Sequence, residues 1–315
     1  MNDLIINMEP LYALERIRHP ILDTLLNTIT FLGDQNMLII VFCALYWCVN
    51  KRMAYVMGVV FFVSSLAVQG LKTVFRIPRP WVTDPTFAPV GSTLNPVTGL
   101  AEGGAIDAAT GYAFPSGHTQ NAAALLGGIG AQVKWKWLRG ICFFFILLVG
   151  FTRMYLGVHY LADVLVSLII TLVVLLVALR IMPREEDEVC IKREAILSGV
   201  IAAVAIVVFV YAFMQAHNGN STDDLVRDAT RAGAAALAFA IGMFVERVWI
   251  RFSVKSKNLA WQIGKYALGM VGTLAIMEGL RIMGRGLAPD ALRFFLTVVW
   301  ITMVYPLVIK RFFQE

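Results

Sequence analysis

Long apolar stretches recur along this chain, separated by short charged or glycine- and proline-rich segments. A helix that crosses a bilayer needs about 20 mostly apolar residues. By that measure the pattern predicts nine candidate spans, at 35–49, 53–73, 117–132, 137–154, 160–182, 195–214, 231–249, 261–281 and 291–309. The stretch at 117–132 is short and rich in Ala and Gly, which suits a helix packed among others rather than one facing lipid. Residues 9–32 place apolar positions at helical spacing, Leu11, Leu14 and Ile17 and then Ile21, Leu22 and Leu25. That pattern predicts one or two helices lying at the membrane interface, or a half-inserted one. A highly charged connector, PREEDEVCIKRE at 183–194, interrupts the run of spans. The expected fold class is therefore all-α, a polytopic membrane helix bundle. Its expected divisions are N-terminal interfacial helices at 1–34, a helical core at 35–182, the connector at 183–194 and four further spans at 195–315. No internal repeat is evident. Asp3 and Glu9 stand where a cleavable signal peptide would be basic, so none is expected.

Composition supports the same picture. The chain is 58% hydrophobic and 15% charged, where soluble domains run about 45–50% apolar and about 25% charged. That excludes a soluble enzyme and a disordered chain. The net charge of +6 does not mark a nucleic-acid binder, because the basic residues sit between apolar stretches. With alternating spans, 16 Lys and Arg, including eight of the nine lysines, fall on one side, and 11 fall on the other; Lys72 is the exceptional lysine. The positive-inside rule makes the first side cytoplasmic. The extracytoplasmic side then holds 72–118, 153–159, 215–230 and 282–290. The sequon Asn220-Ser221-Thr222 in the third of these reads as incidental. Cys43, Cys48, Cys142 and Cys190 show neither a disulfide framework nor zinc spacing.

Three clusters on the extracytoplasmic side carry candidate chemistry, each at a membrane boundary. The first runs from Lys72 through Arg76 to Arg79-Pro80, the second is Pro115-Ser116-Gly117-His118, and the third runs from Arg153 to His159 and Asp163. Lys72, Arg79 and Arg153 bring three cations from different helix ends, and Arg offers a planar fork matched to phosphate oxygens. Ser116 is a good N-cap and Gly117 lets a ligand approach the backbone, so the start of that helix favours a phosphate. His159 and Asp163 are four apart, hence on one helical face. A carboxylate on one imidazole nitrogen fixes the tautomer and makes the other a better nucleophile. His118 is then free to protonate a leaving oxygen. Any one of these motifs alone is more often packing, a helix start or a snorkelling cation. Their convergence on one predicted face is what makes the joint reading strong.

These residues resemble the type 2 phosphatidic acid phosphatase superfamily, whose signature is Lys-x6-Arg-Pro, then Pro-Ser-Gly-His, then Ser-Arg-x5-His-x3-Asp. The matches are Lys72 with Arg79 and Pro80, Pro115 to His118, and Arg153, His159 and Asp163. Thr152 stands where the family has Ser, and it keeps a hydroxyl. The match spans 72–163, and the signature says nothing of 195–315. The resemblance implies that His159 attacks phosphorus to form a phosphohistidine, with Asp163 orienting it. It implies that His118 protonates the leaving group and then activates water. Lys72, Arg79, Arg153, Ser116 and Gly117 would hold the phosphoryl oxygens, and no metal or cofactor is needed.

The expected protein is a membrane phosphatase acting on a lipid phosphomonoester or diphosphate, such as a polyprenyl diphosphate or phosphatidic acid. Its expected place is the cytoplasmic membrane of a bacterium, with membrane lipids as surroundings and no nucleic-acid partner. A lipid phosphotransferase using the same site, or a lipid-binding or flippase-like transporter with a vestigial site, is the alternative. The loop at 81–114 reads as a cap, with Trp81, Phe87, Tyr112 and Phe114 as contacts to lipid or membrane, and with acidic Asp84, Glu102 and Asp107. Glu246 and Glu278 read as either intramembrane functional carboxylates or local pairs with Arg247 and Arg281. For the last four spans, homodimerisation, a lipid gate and a separate transport role stay open.

Overall fold

The computed structural model describes residues 5–95, 98–99, 101–104, 106, 109, 111–182, 188–218, 223–284 and 286–313. The Asn220-Ser221-Thr222 sequon and Asp107 lie outside them. The chain is helical nearly throughout, and a two-residue antiparallel pair, β1 (Thr93–Leu94) with β2 (Ala101–Glu102), is its sheet among the described residues. Every one of the nine expected stretches is a helix. Among the described residues, seven helices are long and apolar enough to cross a membrane, or eight if Pro20–Gly33 and Gln35–Val49 count as one bent span. The shortfall has a simple cause at Gly117–Gly130, which has 14 residues. At 1.5 Å per residue it runs about 21 Å, short of a hydrocarbon core of about 30 Å.

The chain divides into two compact units, Met1–Leu38 with Ala67–Val173, and Ile39–Leu66 with Val174–Glu315. In the first, α1 (Glu9–Glu15) and α2 (Pro20–Ile29), the latter continued by a 3-10 turn at Thr30–Gly33, pack on α7 (Lys136–Tyr155). Their inward face is apolar: Leu11 is fully buried with Ile77, Phe87, Ala113, Phe114 and Tyr160, and Leu26 with Tyr155, Leu156 and Val158. Their outward face keeps Ile17, Ile21, Leu25 and Phe31 exposed, as expected of helices at an apolar boundary. Phe87 and Phe114 are therefore core residues of this unit, which corrects their expected role as lipid contacts. The α6 helix (Gly117–Gly130) packs on α7, where Gly130 comes close to Cys142, and α7 meets α8 (Leu161–Ile181) where Gly150 faces Val164. Small residues at both crossings let the backbones approach.

The second unit includes the end of α3 (Gln35–Ala44), the start of α4 (Lys51–Phe75) and the helices α9 (Glu188–His217), α10 (Asp223–Val245), α11 (Leu259–Gly279), α12 (Leu287–Val299) and α13 (Tyr305–Phe312). Three of its helical runs carry a π-helical turn, at Leu45–Val49, Glu246–Ile250 and Trp300–Val304. Tyr46 and Trp47 on the first turn donate to the carbonyls of Thr302 and Ile301 on the third. Glu246, fully buried, takes a bond from Lys51 Nζ at 2.8 Å and another from Tyr55. Arg247 pairs with Glu194. The expected local pair is found for Glu278 with Arg281, on the surface. Asp290, almost fully buried, accepts from Arg227 Nε at 2.8 Å and Arg231 Nη2 at 2.9 Å. Gly242, Gly269 and Gly272 each touch a bulky neighbour, Thr302, Trp47 and Trp300.

Candidate functional site

The last turns of α4 deliver Lys72, and a short connection leads to α5 (Pro80–Thr83), capped by Arg79. The returning end of the 81–114 loop then lines up beside them, with Ala113 N donating to Ile77 O at 2.9 Å. Lys72 Nζ donates to Tyr112 O at 2.8 Å, and Arg79 Nε to Gly111 O at 3.1 Å. The loop expected to cap the site thus supplies carbonyls that aim two of its cations. It is tied down elsewhere too: Val90 N donates to Leu156 O at 3.1 Å, and Tyr12 OH to Asp84 Oδ2 at 2.6 Å. That bond pulls Asp84 below its ordinary carboxyl range and pushes Tyr12 up to about 12.

Ser116 caps α6, its Oγ accepting from Thr119 N at 3.4 Å and from Thr119 Oγ1 at 3.0 Å. Gly117 opens the helix with nothing within 4 Å of where a Cβ would sit, so the helix start is open at that point. The start of α6 is joined to α8 through backbone: Ser116 N donates to Asp163 O at 3.2 Å, and Ser167 Oγ lies 2.9 Å from Ser116 O and 2.8 Å from Asp163 O.

The third cluster turns sharply. After Arg153 at the end of α7, Val158 N reaches back to Arg153 O, and Gly157 adopts φ +78°. A Cβ there would lie 2.7 Å from Phe87 and 2.9 Å from Arg18, so both conformation and space ask for glycine. The turn places His159 just before α8 and Asp163 in its first turn. His159 Nδ1 lies 3.1 Å from Asp163 Oδ2, which also accepts from Tyr160 N at 2.9 Å. With the carboxylate on Nδ1 the proton belongs there, and Nε2 keeps its lone pair. Arg79 Nη1 sits 3.3 Å from that Nε2 and 3.1 Å from Val158 O, an arrangement consistent only with Nε2 accepting. Both imidazole nitrogens are thus assigned by their neighbours.

The structure brings together residues from all three motifs. His159, Asp163, Lys72, Arg79, Arg153 and Ser116 are buried, while Gly117 and His118 are partly so. Burial, and then the charges of Arg79, Arg153, Lys72 and His118, hold His159 well below its usual value. His118 is lowered to about 3 by burial and then by Arg153, Arg79 and Lys72. A site without an anion therefore keeps both histidines neutral. The same positive field that deprotonates them is an attraction for a phosphate. Among the described residues, no three His, Cys, Asp or Glu side chains gather as a metal-ligand group.

Several contributors were not foreseen from sequence. Arg153 Nη1 donates to Thr30 Oγ1 at 2.9 Å. Gly33 lies so close to His118 that a Cβ would sit 2.4 Å from its carbonyl oxygen, and Asn121 Nδ2 donates to Gly33 O at 3.0 Å. Arg18 donates to Tyr155 O at 3.3 Å and to Ala88 O, and stacks over Phe87. All come from the N-terminal segment, and no spacing pattern links them to the motifs.

Comparison with known proteins follows the same lines. Residues 51–187 match the family model described as the PAP2 superfamily. Residues 229–315 match the one described as PAP2 superfamily phosphatase, transmembrane extension; this falls in the part of the chain on which the signature is silent. No curated protein matches. Among solved structures, LpxE of Aquifex aeolicus is 25% identical with a TM-score of 0.45, over 55% of this chain and 94% of that one. The transmembrane PAP2 type phosphatidylglycerolphosphate phosphatase of Bacillus subtilis is 25% identical with a TM-score of 0.42, over 54% and 81%.

Proposed function

Because the chain belongs to the PAP2 superfamily, we propose that it is a phosphatase of lipid phosphomonoesters or diphosphates, working at the extracytoplasmic face through a phosphohistidine on His159. The observation that carries this reading is the imidazole of His159, with Asp163 on Nδ1 and Arg79 on Nε2. An arriving phosphoryl oxygen takes over the Arg79 N–H, which frees the Nε2 lone pair beside phosphorus. Nε2 then forms the N–P bond as the bond from phosphorus to the leaving oxygen breaks. His118 gives its proton to that oxygen. In the second step His118 takes a proton from water, whose oxygen displaces Nε2, releasing inorganic phosphate and neutral His159.

The low value of His118 in the anion-free site does not oppose its acid role. Burial is the largest cause of its depression, and the charges of Arg153, Arg79 and Lys72 add to it; a phosphate dianion among them offsets the part due to those charges. Substrate binding thus raises the proton affinity of His118 just when a proton is needed. Lys72, Arg79, Arg153 and the start of α6 with Ser116 and Gly117 are the groups that neutralise spread negative charge in the transition state. The excess of lysines on the opposite loops supports the extracytoplasmic assignment, and the apolar spans support a substrate whose tail stays in lipid.

The test is phosphate release by purified protein in detergent with EDTA present, on a panel of polyprenyl diphosphate, phosphatidic acid and related lipid phosphates. Release should persist in EDTA and fall by at least about a thousandfold in His159→Ala. Loss of release on chelation would refute metal independence. Release unaffected in the variant would refute the phosphohistidine. No release from any lipid by folded wild type would refute the phosphatase reading. Labelling of single cysteines in the 81–114 loop only from the cytoplasm would overturn the sidedness.

A further inference from the structure

The three cations of the site are not held alike. Lys72 and Arg79 are aimed by carbonyls of the loop and the turn that flank them. Arg153 is buried, its Nε has no partner, and the bond from Nη1 to Thr30 Oγ1 is its one side-chain hydrogen bond among the described residues. Thr30 is 7% exposed and sits in the 3-10 turn that ends the second N-terminal helix, 123 residues away in sequence.

The behaviour of the other threonines on that helix makes the contact informative. Thr24 Oγ1 donates to Pro20 O at 2.9 Å and Thr28 Oγ1 to Thr24 O at 2.8 Å, the ordinary local bond of a helical threonine. Thr30 makes no such bond and turns its oxygen to the guanidinium. A few residues on, Gly33 presses against the backbone of His118. The segment therefore touches the phosphate-facing cation and the backbone of the proton donor at once, and it lies before residue 51, where the matched family domain begins.

We propose that Thr30 is a positioning residue of the phosphate site, fixing the Arg153 guanidinium through its hydroxyl, so that the N-terminal helices form part of the active site and not merely a membrane-surface support. The proposal rests on the phosphatase reading for its kinetic consequences but not for its binding ones. A charge-assisted bond from a buried guanidinium is among the stronger ones, and losing it leaves Arg153 free to rotate away from the phosphoryl oxygens.

The experiment compares wild type with Thr30→Val, Thr30→Ser and the same-helix control Thr28→Val, in lipid phosphate release and in binding of inorganic orthovanadate measured by calorimetry. Thr30→Val keeps the shape and removes the oxygen. It should lose about tenfold in kcat and bind vanadate about tenfold more weakly. Thr30→Ser should stay within about twofold of wild type, and Thr28→Val should match it. In an Arg153→Lys background, which lacks the fork, Thr30→Val should have no further effect on vanadate binding. Wild-type values in Thr30→Val, equal losses in Thr30→Val and Thr30→Ser, or full additivity with Arg153→Lys would each overturn the proposal. The two readings fail separately: vanadate binding that depends on Thr30 without any lipid phosphate release refutes the phosphatase and keeps the positioning role. Release and vanadate binding that ignore Thr30 do the reverse. Should Thr30→Val fail to fold, the cycle of Thr30→Ala, which also removes the oxygen, against Arg153→Lys carries the test, and additivity there overturns it.

Discussion

The two units of this molecule treat their buried carboxylates in opposite ways. In the second unit each deeply buried carboxylate described above meets a cation: Glu246 meets Lys51, Glu194 meets Arg247, and Asp290 meets Arg227 and Arg231. In the first, Arg153 is buried against a neutral hydroxyl, and Asp163 directs one oxygen to His159 and Tyr160 while its other oxygen is buried without a partner. A paired buried charge is a matter of structure, stable because each ion solvates the other. A buried cation without a carboxylate has lost its water and gained little, and folding tolerates it only where something else requires it. An anion that arrives later is such a requirement. The difference teaches where to look for chemistry in a chain full of intramembrane charge: not at the charges themselves but at those left uncompensated.

The sharpest break of this comparison is Arg153→Met. It should lower phosphate release by about a hundred- to a thousandfold with no loss in the thermal midpoint in detergent, because a burden on stability is removed with the charge. A fall in the midpoint together with unchanged turnover would place Arg153 among the structural charges. The mirror substitution is Glu246→Gln, which strands Lys51. It should cost about 3 kcal/mol of stability while the folded fraction keeps its turnover, as read by a thermal scan beside the same release assay. The smallest expected effect is on pH dependence. In the complex His118 must hold its proton, so kcat should fall as pH rises past its value there, and His118→Gln should flatten that limb in the residual rate. The anion-free protein follows the other sign. Both histidines titrate lower in the folded protein than their ordinary value of about 6.5, so the unfolded chain binds more protons below that point. Their contribution to stability is present above about pH 6.5 and is lost as the pH falls below it. A thermal midpoint that rises on acidification from pH 7 to 5 would contradict these shifts.

Much of this was legible in the sequence because it is local. All nine expected stretches are helices, since an apolar run of 15 to 20 residues leaves the backbone no other way to satisfy itself in lipid. The local geometry of the motifs was legible because their spacing sets it: His159 and Asp163, four apart, meet in a hydrogen bond, and Ser116 stands one residue before a helix. What escaped was long-range. The amphipathic pattern around Leu11 and Leu26 showed that the N-terminal helices bury one face, and nothing in it said that the face lies on α7 rather than on lipid alone. Phe87 and Phe114 looked like membrane contacts because an aromatic in a long loop is ambiguous until its neighbours are known. Thr30 and Gly33 carried no signal of any kind, for a single hydroxyl or a missing Cβ has meaning only beside its partner.

The serine at position 167 has a last consequence. Its one hydroxyl proton is shared between the carbonyls of Ser116 and Asp163, and Ser116 N closes the loop on Asp163 O. The start of α6 and the first turn of α8 are thereby stitched together, and parting them would break two buried bonds, Ser116 N to Asp163 O and Ser167 Oγ to Ser116 O. Lys72 and Arg79 are held separately, by the carbonyls of Tyr112 and Gly111. A shift of those two carbonyls would act on both cations at once.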